Sequence, residues 1–105
     1  MPTGLLSELE FYLIGNYNIR EEKKKIKKII GDLLKNSKYK SKIKKYSIET
    51  ERNKIKIKFH HYDRHNKETR FQMGFFLIDV KKKIEESYNK ENVNFIEIYD
   101  WISEF

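Results

Sequence analysis

Between Lys44 and Phe59 the chain alternates apolar and polar residues on either side of one two-residue break, Arg52-Asn53. If that break is a tight turn, two strands pair in a defined register. Thr50 then opposes Ile55, Ile48 opposes Ile57 and Tyr46 opposes Phe59 on an apolar face. On the polar face Glu51 opposes Lys54 and Glu49 opposes Lys56. A slip of one residue would turn every side chain to the wrong face, so the hairpin fixes its own pairing.

The remaining elements are read around this hairpin. Leu5, Leu6, Leu9, Tyr12 and Leu13 fall at helical spacing over residues 5–14, with Thr3 as N-cap and Gly15 at the C-terminal end. Asn18 and Glu21 form a capping-box-like pair that opens a second helix. Ile26, Ile29, Ile30, Leu33 and Leu34 make its buried stripe, and Lys23, Lys24, Lys27 and Lys28 face water. Gly31 inside that helix suggests a close helix–helix approach. Asn36 to Ser41 is a polar break. Beyond the hairpin and the loop Asp63–Lys67, Thr69, Phe71, Met73 and Phe75 alternate as the inner face of a third strand over residues 68–75. Leu77, Val80, Ile84 and Tyr88 mark a third helix ending near Asn89, and Val93–Tyr99 is a last strand, followed by Trp101, Ile102 and Phe105 as an apolar tail.

The expected fold is therefore one α+β domain over residues 1–105, in two layers. An N-terminal helical hairpin precedes a four-stranded, mostly antiparallel sheet, in the order α-α-β-β-β-α-β. The terminal strand–helix–strand unit implies a crossover and one parallel pair.

Composition bounds the partners. The chain has 105 residues, no cysteine and a net charge of +7. Without cysteine there is neither a disulfide framework nor thiolate chemistry. No apolar run approaches the roughly 20 residues that span a bilayer, and Met1–Gly4 lacks the basic region of a signal peptide, so a cytoplasmic setting with no membrane partner is expected. Residues 20–58 hold 16 Lys/Arg against 5 Asp/Glu, whereas residues 1–19 and 59–105 are each at −2. Such asymmetry is the footprint of a domain that meets an anion. Lysine outnumbers arginine 19 to 4 and alanine is absent, which is also what an AT-rich genome imposes.

Lys38, Tyr39, Lys40, Lys42, Lys44 and Lys45 interleave an aromatic with cations, a pattern suited to single-stranded nucleic acid. With Lys58 and Arg70 they form the expected nucleic-acid or anion-binding set. Lysine supplies point charge and lacks arginine's bidentate geometry, so backbone contacts are expected in place of base reading. Tyr99, Trp101 and Phe105 are the expected protein interface, for a second copy or another chain. His60 and His61 point to opposite strand faces, so no metal site is expected, and no glycine-rich loop or other cofactor motif is present. His61 is expected to end the buried row as a hydrogen-bonded core histidine.

If the third strand pairs with the second, Lys45, His60 and Arg70 lie in one row across three strands, with Glu68 beside them. A base, an acid and two cations are the parts of metal-independent RNA cleavage. On those four residues, and on the order of two helices before a small sheet, the chain is loosely similar to small bacterial ribonuclease toxins. That resemblance implies a ribonuclease as the alternative function. The composition also resembles small proteins of phages and mobile elements, among them structural subunits and inhibitors of host defence. The leading expectation is a non-enzymatic binding module for nucleic acid or an anionic protein surface.

Overall fold

The chain opens with a strand where a helix was expected. The computed structural model describes residues 4–35, 39, 43–61 and 67–104. Gly4–Leu13 is β1, Ile19–Lys35 is α1, Ile43–Glu51 is β2 and Lys54–His61 is β3. Lys67–Tyr88 is α2, a short 3-10 turn covers Lys90–Asn92, and Val93–Glu104 is β4. Thr3 lies outside the described residues.

In β1 the inward residues are Ser7, Leu9, Phe11 and Leu13, a period of two. The apolar residues of this segment fit a helical stripe as well, and intrinsic preference does not separate the two. Neighbours do, because β1 is hydrogen-bonded on both sides, to β3 and to β4. A central strand satisfies both ladders and buries Leu9 and Phe11 completely.

Residues 68–75 are the converse correction. They form the first turns of α2 and not a third hairpin strand. The alternating set splits across the helix: Met73 is buried, while Phe71 and Phe75 are exposed. Residues two apart on a helix stand about 200° apart, so a strand-like alternation does not survive there as one face.

The hairpin of β2 and β3 has the expected register from Tyr46↔Phe59 to Glu51↔Lys54. Arg52 takes φ 55° to make its turn. α1 begins as expected: the Asn18 side-chain oxygen accepts from the N–H of Arg20 and Glu21 (3.1 and 3.4 Å), capping the first turn. α2 ends at Tyr88, and Asn89 just beyond it, with a φ of 65°, closes it in the left-handed region.

The sheet order is β2-β3-β1-β4 and every neighbouring pair is antiparallel. The expected parallel pair is absent from this sheet. β3 and β4 do run in the same direction around α2, but β1 lies between them, just as β3 lies between β1 and β2. Two interleaved split β-α-β units result, the topology of ferredoxin-like domains. No N-terminal helical hairpin exists; α1 and α2 come from different units and pack on the same face of the sheet.

One core joins these layers. Ile26 and Ile30 from α1, Phe76, Leu77, Val80 and Ile84 from α2, and Leu9, Phe11, Ile55, Ile57 and Phe59 from the strands are each at most 1% exposed. Phe59 and Phe76 meet edge to face at 4.9 Å. Phe11 meets Phe95 at 5.2 Å, which fixes β4 against β1.

Candidate anion-binding surface

The open face of the sheet carries alternating charge, and two of its lysines, Lys54 and Lys58, are held by glutamates. β3 turns Lys54, Lys56, Lys58 and His60 outward. β1 places Glu8 beside Lys58 and Glu10 beside Lys56, and β2 places Glu49 beside Lys56 and Glu51 beside Lys54. Lys54 Nζ lies 3.0 Å from Glu10 Oε1, and Lys58 Nζ lies 3.3 Å from Glu49 Oε1. The hydrogen bond to Glu10, and then that carboxylate's charge, push the Lys54 ammonium above its usual pKa. Lys58 is thus removed from the set of uncommitted cations to which the sequence assigned it. The strand that the helical reading hid, β1, supplies one of the neutralising carboxylates.

The row through His60 runs Lys45–His60–Leu6. Arg70 is not in it, because Glu68 and Arg70 lie in the first turn of α2, in the helical layer behind the sheet. Of the ribonuclease reading, Lys45 and His60 remain cross-strand neighbours while Glu68 and Arg70 lie on α2, and the helix-first order behind the resemblance is gone.

His61 occupies the core position expected of it, 6% exposed. Its Nε2 lies 3.1 Å from Ser7 Oγ, which also lies 3.2 Å from Met73 Sδ. Ser7 is fully buried, so this serine–histidine contact cannot present a nucleophile to a substrate and ties β1, β3 and α2 together. Among the described residues no three His, Asp or Glu side chains converge on a metal position.

Tyr39, expected among the binding residues, packs on the core. It is 9% exposed and its ring lies 5.1 Å from that of Phe76, so it closes one end of the core. Burial, and then the charge of Asp79, raise its phenol pKa. Lys38, Lys40, Lys42, Tyr62, Asp63, His65 and Phe105 lie outside the described residues. Tyr99 and Trp101 are not in a tail: β4 continues to Glu104, with Tyr99 opposite Glu8 and Ile102 opposite Leu6 on β1.

Uncommitted positive charge gathers on α1. Arg20, Lys24, Lys27, Lys28 and Lys35 are all exposed and fall within an arc of about 100° on the helix, opposite buried Ile26 and Ile30. None has an ion-pair partner among the described residues. Where α1 meets the edge strand β2, the Tyr46 hydroxyl reaches the Lys27 carbonyl at 3.5 Å. Beside this contact an open groove of about 530 Å³ is floored by Gly31, Leu34, Ile43 and Tyr46 and rimmed by Lys35, Lys44 and Lys45. Lys44 and Lys45 are likewise exposed and without an ion-pair partner among the described residues.

Of the sequence-derived set, Lys44 and Lys45 therefore sit beside the α1 stripe, whereas Lys58, Arg70 and Tyr39 lie elsewhere. The α1 lysines were legible in the sequence only as a solvated face. Their spacing, with Lys24, Lys28 and Lys35 one above another, was the available signal.

No protein-family model matches this chain, no curated protein matches it, and no solved structure matches it. The topology follows from strand order alone and by itself assigns no function.

Proposed function

We propose that this protein is a non-enzymatic binding module that docks on a polyanion, nucleic acid in the first instance, through α1 and the adjoining end of β2. The observation that supports this reading is the separation of the lysines into two populations. Lys54, Lys56 and Lys58 of β3 sit among glutamates, and those of the α1 stripe are solvated and uncommitted. A stripe of point charges suits phosphate contacts and carries little base information.

Domains of this strand order that bind single-stranded RNA stack bases on aromatic residues of the open sheet face. The outward residues of the central strands here are Leu6, Glu8, Glu10 and Tyr12 on β1 and Lys54, Lys56, Lys58 and His60 on β3. Four of these eight are lysines or a histidine and two are glutamates, so this face offers neither a row of rings nor a uniform field. The helical layer is the better docking side.

The test is a salt titration of binding to short RNA and DNA, with polyglutamate as a protein-like polyanion and intact-RNA analysis as a cleavage control. Binding that falls steeply with salt and leaves RNA uncut supports the reading. Absence of binding to every polyanion at low salt removes it. Binding to polyglutamate alone moves the target from nucleic acid to an anionic protein surface.

A further inference from the structure

α2 is apolar on two opposite faces. Met73, Leu77, Val80 and Ile84 point into the core. On the far side, about 130–170° away around the helix, Phe71, Phe75 and Ile78 are 60, 62 and 57% exposed. Large apolar side chains clustered outward in this way mark an interaction surface.

Spacing and charge identify the partner. Glu68, Phe71, Phe75, Ile78 and Lys82 follow one another at intervals of three, four, three and four residues, the seam of a helix that pairs with another helix. The centre of the seam is apolar, its N-terminal end is acidic and its C-terminal end is basic. When a second copy of α2 is laid on it antiparallel about a twofold axis through Phe75, Phe75 meets its own counterpart and Phe71 meets Ile78. Glu68 then meets Lys82 at both ends. The seam is self-complementary, as a twofold interface must be. Glu68 and Lys82 are exposed, and neither has an ion-pair partner within the chain among the described residues. Gly74 flanks the seam, and among the described residues a side chain there would meet nothing within 4 Å, which leaves room for an approaching helix.

We propose that the outer face of α2 is a homodimer interface, formed by antiparallel packing of the Glu68–Lys82 seam against that of a second copy. This surface is distinct from the basic stripe of α1 and does not depend on what that stripe binds.

Sedimentation equilibrium of the full chain tests it, over roughly 1 to 500 µM, the range a small interface supports. The wild-type mass should rise toward twice that of the chain. Phe75→Ser should stay monomeric with an unchanged far-UV spectrum. Glu68→Lys alone and Lys82→Glu alone should each weaken dimerisation about tenfold by placing like charges together at both ends. The double exchange, Glu68→Lys with Lys82→Glu, should restore it to within about threefold of wild type. A wild-type chain that stays monomeric throughout overturns the proposal. So does a dimer indifferent to these exchanges, or a double exchange no better than the singles. If Phe75→Ser fails to fold, the three charge variants, all at exposed positions, decide alone.

Discussion

The hydroxyl of Tyr88, at the end of α2, donates to Glu22 Oε1 in the first turn of α1 at 3.1 Å, a contact that spans 66 residues of chain. The Lys25 ammonium stands 4.2 Å over the same ring, and Tyr17 meets it edge-on at 5.9 Å. This cluster joins the two split β-α-β units at the level of their helices, and it has a pH signature. Burial first, and then the charge of Glu22, raise the Tyr88 phenol pKa well above its ordinary value of 10.0.

A raised folded-state pKa means that the contribution is fully present below the unfolded value and is lost as pH climbs above it. At neutral pH Tyr88→Phe should cost about 1–2 kcal/mol, the loss of a hydrogen bond to a carboxylate. The gap between wild type and variant should narrow as pH rises past about 10. Urea unfolding at pH 7, 9 and 11 measures it, and a gap that widens with pH contradicts this account.

Tyr39 separates packing from binding. As a core residue against Phe76, its replacement by alanine should destabilise by about 3–5 kcal/mol. Tyr39→Phe should leave RNA affinity within about twofold. Were Tyr39 a stacking residue, Tyr39→Ala would instead lower affinity at unchanged stability. Thermal unfolding alongside a binding titration distinguishes the two.

Gly31 lies inside α1 with nothing within 4 Å of where a Cβ would stand. The close helix approach expected from the sequence does not occur there. Gly31→Ala should therefore stabilise by about 0.5–1 kcal/mol through helix propensity and a less free unfolded chain. A lowered melting temperature would mean that the position is closely packed after all.

Replacing Ser7 by alanine removes the hydroxyl that lies 3.1 Å from His61 Nε2 in a fully buried position. The expected loss is about 1–3 kcal/mol, seen in denaturant unfolding, with polyanion binding unaltered below the transition.

The two lysine populations should respond differently to mutation. Lys24→Gln, Lys27→Gln and Lys28→Gln combined should lower the slope of log affinity against log salt by about two for nucleic acid. Lys56→Gln with Lys58→Gln should leave it nearly unchanged. Equal effects from both sets would mean that binding follows net charge and not the α1 stripe.

The β2–β3 hairpin was legible because its apolar and charged faces are satisfied in the same register, so local pattern and partner strand carry the same information. The Asn18 cap and the Asn89 terminus were legible for a similar reason: each acts on backbone groups a few residues away. The candidate site was only partly legible. Lys44 and Lys45 remain in it, but the sequence shows that lysines are many without showing which of them lie opposite a glutamate. That depends on β1 lying beside β3, and the two are more than 40 residues apart.

Two segments were decided by tertiary structure alone. Leu5–Leu13 fits a helical stripe and a strand's alternation equally, and residues 68–75 alternate like a strand yet begin a helix. In each, the apolar side chains can be sorted onto one face by more than one backbone. The choice falls to whichever conformation satisfies hydrogen bonds and buries surface against neighbours brought from far along the chain. For β1 that was a pair of flanking strands; for α2 it was the inner face of the sheet, which takes Met73 and Phe76 and leaves Phe71 and Phe75 outside.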